Sequence, residues 1–183
     1  YSAKRNHGTL MHGPVWVEAY SWERGMVAHY PLDGSGRDIY GTHSGSLIGT
    51  TPTTNFHGYS QKALGLDGVD DYVEISEAPE FETNQHTVSF WVKSDSLSQG
   101  NLVSKDDGNS NLTNRQWLVE ALDDGKVRSV IWTNGSKNQR DSNYSLTQGQ
   151  WHHIVRTWNG SSMSLYIDGV LDNNFPVDTT GTS

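Results

Sequence analysis

Acidic residues are the side chains of this sequence that could carry out acid–base hydrolysis. The chain has 21 Asp and Glu residues, but a glycosidase needs two carboxylates that face each other across a cleft. The nearest pair, Glu80 and Glu82, follows Pro79 in a predicted loop. The sequence contains neither a G-x-S-x-G nucleophile elbow nor any cysteine. We therefore expect no catalytic residues and no enzymatic activity.

His152 and His153 could bind a metal or transfer protons near neutral pH. They lie in a segment that alternates like a β-strand, where neighbouring side chains point to opposite faces. The two imidazoles therefore cannot bind one ion together, and we interpret them as structural residues. The remaining histidines are isolated in the sequence and are predicted at the surface or in turns: His7, His12, His29, His43, His57 and His86.

The candidate ligand-binding residues are three aromatic and three basic side chains: Trp117, Arg128, Trp132, Lys137, Arg140 and Tyr144. They lie on predicted strands or beside the polar residues 134–141, which we interpret as a loop. Flat aromatic rings can pack against the C–H faces of sugars, and a local basic patch favours a uronic or sulfated glycan. The alternative is that both tryptophans pack between sheets and the loop is simply solvated. Trp91 and Trp151 are expected in the core.

Predicted β-strands position these residues, and the clearest strand pattern covers residues 151–158. Their side chains alternate between two faces, with Trp151, His153, Val155 and Thr157 on one and His152, Ile154, Arg156 and Trp158 on the other. Asn159–Gly160 predicts a tight hairpin turn, after which Met163, Leu165 and Ile167 share one face. Asp168–Gly169 predicts the next turn.

Composition indicates an all-β domain with many turns. The 183 residues include 19 Gly, 7 Trp and 8 Tyr, and long helical periodicity is absent. The net charge of −8 opposes binding to nucleic acid or to anionic membranes. No apolar run is long enough for a membrane-spanning helix, so membrane insertion is not expected. Without cysteines, stability must come from packing or from a bound ion.

Four segments, in order along the chain, resemble laminin-G-like modules of the concanavalin A-like superfamily. They are G-M-V-A-H-Y-P-L-D-G at 25–34, L-D-G-V-D-D-Y-V-E-I at 66–75, T-V-S-F-W-V-K at 87–93, and the strand, turn and strand of 149–172. The resemblance implies an antiparallel two-sheet jelly-roll sandwich. It also implies an extracellular or cell-surface module for adhesion or carbohydrate binding, with a glycan or an extracellular protein as its partner.

The same resemblance implies a structural Ca²⁺ ion at one edge of the module. The oxygen-rich turns there contain Asp33 and Asp38, with Asp70 and Asp71 expected nearby. A weaker candidate covers residues 106–111, which lack the bidentate glutamate of a calcium loop. The alternative is that all these acidic residues belong to solvated turns.

Both ends of the chain depart from the family pattern. Residues 1–24 form a predicted N-terminal extension in which 1–17 resemble a segment already supplied by residues 39–49. The predicted module, residues 25–183, lacks the usual closing strand, and the start at Tyr1 suggests a processed or excised piece. Exchange of the surplus strand between copies would build an extracellular filament or surface layer. The other interpretations are a remnant of an upstream repeat, or a strand that closes its own sheet.

Overall fold

The computed structural model describes residues 9–10, 13–14, 25–105, 116–133 and 135–176. The chain forms two compact units, of which the first contains Tyr1–Thr53 and Ser60–Phe81 and the second contains Thr54–Tyr59 and Glu82–Ser183. Regular structure in the described residues is almost entirely β, with one 3-10 turn at Pro79–Phe81. No helix in these residues is long and apolar enough to cross a membrane.

The first unit contains short antiparallel strand pairs. Its strands are β1 (Thr9–Leu10), β2 (Gly13–Pro14), β3 (Ser46–Ile48), β4 (Thr51–Thr53), β5 (Ala63–Gly65) and β6 (Tyr72–Glu74). The pairs are β1 with β2, β3 with β6, and β4 with β5. Apart from β1 and β2, the predicted extension at residues 1–24 lies outside the described residues, as does the chain after residue 176. The strand-exchange hypothesis therefore stays a prediction.

The second unit is a sandwich of two four-stranded antiparallel sheets. Its strands are β7 (His86–Lys93), β8 (Gly100–Lys105), β9 (Trp117–Ala121), β10 (Lys126–Thr133), β11 (Ser136–Ser145), β12 (Trp151–Trp158), β13 (Ser162–Ile167) and β14 (Val170–Pro176). Sheet 1 has the order β11-β10-β9-β8, and sheet 2 has the order β14-β13-β12-β7. This arrangement confirms the predicted all-β, two-sheet antiparallel fold.

The core of the second unit lies between its two sheets. Val119 and Val127 from sheet 1 join Ile154, Leu165 and Ile167 from sheet 2 in one buried cluster. Burial of each such aliphatic side chain stabilises the fold by about 1.5–3 kcal/mol relative to leaving it in water. The inward face of the sandwich is therefore set by apolar residues at alternate positions of the strands.

Strand β12 follows the predicted alternation. The buried face contains His152, Ile154, Arg156 and Trp158, while the intervening residues are partly exposed. The turn after β12 has Gly160 at a φ of 92°, and the turn after β13 has Asp168 at 52° and Gly169 at 81°. Both turns therefore use the left-handed backbone conformation that Asn-Gly and Asp-Gly pairs favour.

Two sequence predictions about this unit are wrong. The predicted loop at 134–141 is wrong from residue 136 onwards, because β11 begins at Ser136 and pairs with β10 along this stretch. Trp91 does not lie in the core, since 44% of its surface is exposed. Its ring instead stacks on Phe56, with the centroids 4.2 Å apart and the planes within 5°. Trp151 is partly exposed at the start of β12.

Candidate functional site

A pocket of about 540 Å³ opens in the second unit where four strands begin or end. Strand β7 begins at His86, opposite the last residue of β12, Trp158. Strand β9 begins at Trp117, opposite Ile131 near the end of β10. The antiparallel registers thus bring residues that are far apart in sequence to one rim of the sandwich. Residues just before β7, beginning at Glu82, complete the wall.

Three tryptophans supply most of the aromatic surface of this pocket: Trp117, Trp132 and Trp158. Trp158 is 7% exposed and belongs to a second buried cluster with Ile131 and Met163. Trp117 packs against the same cluster while also lining the pocket. The two alternatives for Trp117, core packing and ligand contact, are thus compatible with one position.

The polar wall of the pocket is held by a charged network. The Glu82 carboxylate accepts a hydrogen bond from the Gln116 side chain at 2.8 Å and forms an ion pair with Lys105. Thr83, Asn84 and the Glu82 carboxylate line the same wall. The Asn159–Gly160 turn lies beside it, because a Cβ on Gly160 would stand 3.7 Å from the Asn84 carbonyl oxygen. These contacts arrange hydroxyl, amide and carboxylate groups around an aromatic floor.

Arg156 lies behind this pocket and is fully buried. Its Nε donates a hydrogen bond to Ser129 Oγ at 3.0 Å, and its guanidinium carbon lies 5.3 Å from the Trp117 ring centroid. In the part of the chain that the structure describes, no carboxylate forms an ion pair with it. Burial lowers the pKa of Arg156 to about 10, so the side chain is a cation throughout the physiological range.

His86 links Arg156 to the wall of the pocket. Its Nε2 contacts Arg156 Nη1, and its ring lines the pocket beside Thr83, whose backbone interacts with it. Burial, followed by the charges of Arg156 and Lys105, lowers the pKa of His86 to about 4. The imidazole is therefore neutral at pH 7. His86 is half-buried in this network and is not the isolated surface residue that the sequence suggested.

The predicted basic residues occupy different positions. Lys137 Nζ lies 5.8 Å from the ring centroid of Trp132, its cross-strand neighbour in β10. Arg128 binds Asp141 through two hydrogen bonds of 2.6 and 2.9 Å and lies 3.5 Å from Glu120. The Asp141 hydrogen bond raises the pKa of Arg128. Its charge is thus compensated on the surface of sheet 1, whereas that of Lys137 lies beside an aromatic ring of the pocket.

Tyr144 and Arg140 lie on β11 and do not line the tryptophan pocket. Tyr144 lines a separate depression of about 370 Å³ with Val170 and Leu171. The Asp172 carboxylate accepts hydrogen bonds at 2.8 Å from the backbone N–H groups of Asn143 and Tyr144. These bonds connect the edge strands of the two sheets. Of the six predicted ligand residues, the structure brings together Trp117, Trp132 and Lys137.

The residues predicted to bind calcium lie in the first unit, and two of them have other partners. Asp38 is 6% exposed, and its carboxylate accepts hydrogen bonds from the backbone N–H groups of His29, Tyr40 and His43. Burial by itself would raise the pKa of Asp38, but the backbone donors lower it to about 2. Asp33 forms an ion pair with Lys62 at 3.3 Å. Both carboxylates therefore already have partners within the first unit, and calcium binding by them stays a prediction.

Asp70 and Asp71 instead lie close to Asp67, with one carboxylate oxygen of each residue within 4.8 Å of the others. Backbone N–H groups already bind part of this cluster, since Asp67 Oδ1 accepts from Val69 at 2.8 Å and Asp71 Oδ2 accepts from the Asp67 N–H at 2.9 Å. Exposed acidic turns of this kind occur without ions, so calcium stays a prediction. The weaker candidate at 106–111 lies outside the described residues.

A second group of aromatic rings covers the outer surface of sheet 2. Phe56 stacks on Trp91 and on its neighbour His57, whose centroid is 3.9 Å away. His153 packs at 5.1 Å from Trp91 and forms a 2.8 Å hydrogen bond with Ser89 Oγ. These rings pack against one another. They hold residues 54–59 against the strand.

Comparison with known proteins identifies the family. Residues 67–183, which are more than half of the chain, match a laminin G family model described as the concanavalin A-like lectin/glucanases superfamily. No curated protein gives a significant match to the sequence.

Two solved structures have a similar fold. Domain 4 of AbnA, a GH43 extracellular arabinanase from Geobacillus stearothermophilus solved in complex with arabinotriose, has a TM-score of 0.60 at 20% identity, over 81% of this chain and 74% of that one. A segment of an S-layer domain-containing protein from Clostridium thermocellum has a TM-score of 0.51 at 28% identity, over 84% and 75%. The sequence match and the two-sheet architecture agree with the four segments that predicted them: the chain belongs to the laminin-G-like family of the concanavalin A-like superfamily.

Proposed function

We propose that this chain is a non-catalytic carbohydrate-binding module and that the pocket formed around Trp117, Trp132 and Trp158 is its sugar site. One observation carries the proposal: three indole rings converge on a pocket of about 540 Å³ that also contains carboxylate, amide and hydroxyl groups. Small-molecule sites commonly combine aromatic side chains with placed polar groups, and here the polar groups make up a large share of the lining. A sugar needs this mixture, because it presents both C–H faces and hydroxyl groups.

The charges of the pocket support binding rather than hydrolysis. Glu82 is the carboxylate among the described lining residues, and it is already bound by Lys105 and Gln116. Hydrolysis of a glycosidic bond generally uses two carboxyl groups on opposite sides of that bond. One engaged carboxylate can accept hydrogen bonds from sugar hydroxyls, which is the role we assign to it.

The proposed setting is extracellular or at the cell surface. The fold is shared with a domain of an extracellular arabinanase and with an S-layer domain-containing protein, which supports this location. The comparisons give no support to a filament built by strand exchange. A glycan is therefore the proposed partner, and arabinotriose, found with the arabinanase domain, is a reasonable first ligand to test.

Calorimetric titration with a panel of trisaccharides tests the proposal. The panel contains arabinotriose, xylotriose, cellotriose and trigalacturonate, of which the last tests whether Lys137, which lies beside Trp132, favours an acidic sugar. We expect at least one to bind, and Trp132→Ala to weaken that binding about tenfold, since a sugar–indole contact contributes on the order of 1 kcal/mol beyond its buried area. Trp132 is chosen because Trp117 and Trp158 also belong to the core.

Trp91→Ala is the matched control, because Trp91 is an exposed tryptophan outside the pocket. Its affinity for the same trisaccharide should equal that of the wild type. The proposal fails if no member of the panel binds, or if the Trp91 and Trp132 variants lose affinity equally.

A further inference from the structure

We infer that Arg156 and His86 are positioning residues of the tryptophan pocket: the buried guanidinium fixes the imidazole in place, and the imidazole supports the adjacent wall formed by residues 82–85. The inference rests on the proposed function, because it concerns how the same pocket is kept ready for its sugar. Neither residue needs to touch the ligand for this role.

The geometry gives Arg156 a fixed position. It projects inward from the middle of β12, where Ser129 of the opposite sheet accepts a hydrogen bond from its Nε at 3.0 Å. The indole of Trp117 covers the guanidinium at 5.3 Å. A buried cation without an ionic partner is costly for a fold. Among the described residues its charge is met by a hydroxyl, an imidazole, a carbonyl and an aromatic face, and this composition indicates a role beyond packing.

His86 transmits that position to the pocket wall. One ring nitrogen, Nε2, faces Arg156 Nη1 and must accept its proton, because a guanidinium only donates. His86 and Thr83 line the pocket together, and the Thr83 backbone interacts with the imidazole. Residues 82–85 are thus held by His86 and, one residue before Thr83, by the bond between Glu82 and Gln116 at 2.8 Å. Thr83 and Asn84 lie on this wall and line the pocket.

The charges that face His86 come from three elements. Arg156 approaches from β12 and Lys105 from β8, and both favour the neutral imidazole. Glu82 lies on the wall itself but is paired with Lys105. Protonation of His86 would place a second cation against Arg156 and remove the lone pair that accepts its hydrogen bond. Acidification should therefore displace residues 82–85 and weaken binding.

Proton NMR of the free protein tests the first step without any ligand. In the wild type the His86 ring should titrate near its lowered pKa of about 4. In Arg156→Gln, which keeps hydrogen-bond donors but loses the charge, we expect the midpoint to rise by at least about one pH unit. In Arg156→Lys, which keeps the charge, it should stay low. In each variant, the chemical shift of the Thr83 backbone amide should change with the same midpoint as the His86 ring.

The trisaccharide from the panel that binds most tightly tests the second step. Its affinity for the wild type should be constant from pH 8 to pH 5 and fall several-fold towards pH 4, whereas in Arg156→Gln the fall should begin at higher pH. His86→Asn cannot titrate, so its affinity should be independent of pH over this range. Circular dichroism at each pH verifies that the variants are folded. If Arg156→Gln does not fold, the pH profiles of the wild type and of His86→Asn still decide whether His86 controls the pH dependence of binding.

The outcomes separate this inference from the proposed function. A trisaccharide that binds with the same pH profile to the wild type and to His86→Asn overturns the inference but leaves sugar binding intact. Failure of the whole panel to bind overturns the proposed function. In that case the titration of His86 still decides the coupling to Arg156, and an unchanged midpoint in Arg156→Gln, or a Thr83 amide that does not respond, refutes it.

Discussion

Asp168 occupies the turn after β13 and combines three stabilising roles. Its backbone has a φ of 52°, in the left-handed region that Asp tolerates better than most residues. Its carboxylate accepts hydrogen bonds at 2.8 Å from the His153 N–H and from His152 Nδ1. His152 is 3% exposed, and its Nε2 accepts a hydrogen bond from the Thr147 N–H at 3.0 Å. The proton must therefore lie on Nδ1, facing Asp168.

Replacement of Asp168 by alanine should lower the free energy of unfolding by about 3 kcal/mol. The Nδ1–H group of His152 would lose its acceptor in a buried position, which costs about 1–3 kcal/mol, and the His153 N–H would lose a bond of about 1 kcal/mol. Alanine at a positive φ adds about 1 kcal/mol of backbone strain. Part of the His153 loss is recovered from water, because that bond is exposed.

Urea denaturation at pH 7, followed by far-ultraviolet circular dichroism, measures this difference. Asp168→Gly is the matched control for strain, since it removes the same bonds but accepts a positive φ, and it should be about 1 kcal/mol more stable than Asp168→Ala. Asp168→Asn keeps one oxygen acceptor and should lie between Asp168→Ala and the wild type.

A pH series adds an independent check on the Asp168 carboxylate. Burial would raise the pKa of Asp168, but the bonds from His153 and His152 outweigh it and lower the pKa below 3.8. Because the pKa of Asp168 is lower in the folded protein, the stabilisation by its carboxylate is complete above about pH 4. It is lost as the pH falls through the folded pKa. As the pH falls through this range, the difference in free energy of unfolding between the wild type and Asp168→Ala should shrink. An Asp168→Ala variant within about 0.5 kcal/mol of wild type at pH 7 would refute the reasoning.

Three further predictions concern other parts of the chain. Asp38→Asn should lower the free energy of unfolding by no more than about 2 kcal/mol at pH 7, as measured by urea denaturation. This loss should vanish as the pH falls from about 4 to about 2, because the folded pKa of Asp38 is about 2. Phe56→Ala should expose Trp91, seen as a red shift of fluorescence and faster hydrogen exchange of residues 54–59, and unchanged exchange would contradict this packing. If the protein binds calcium, 5 mM of the ion should raise the midpoint of thermal unfolding by mass action. The midpoint of the double variant Asp70→Asn, Asp71→Asn should not change. The absence of any shift in the wild type would remove the calcium prediction.

The sequence predicts those parts of the fold that depend on local pattern. The alternation in β12 identified the face shared by Ile154, Arg156 and Trp158, because residues two apart in a strand point to the same side. The same pattern also indicates a buried Arg156, because a charged residue between two inward apolar residues must be buried and partnered. The turns after β12 and β13 were also predicted from their Asn-Gly and Asp-Gly pairs.

The rest depends on contacts between distant residues. Trp91 alternates like a core residue, and only Phe56, 35 positions earlier, reveals that its face is the outer one. Strand β11 was interpreted as a loop because it contains few apolar residues, which is possible for an edge strand with exposed side chains. The pocket requires the registers of β7 with β12 and of β9 with β10. Trp117 and Trp132 were candidates from the sequence and line this pocket, whereas Glu82, Gln116 and Trp158 could not be added without these registers.

The composition of β11 has a consequence for the behaviour of the protein at high concentration. As an edge of sheet 1, this strand could recruit an identical strand and start aggregation. Its side chains include the charged Lys137, Arg140 and Asp141, which resist such pairing, and the carboxylate of Asp172 already binds the N–H groups of Asn143 and Tyr144. This edge of the sandwich is therefore protected from amyloid-like growth by charge and by a side chain from the other sheet.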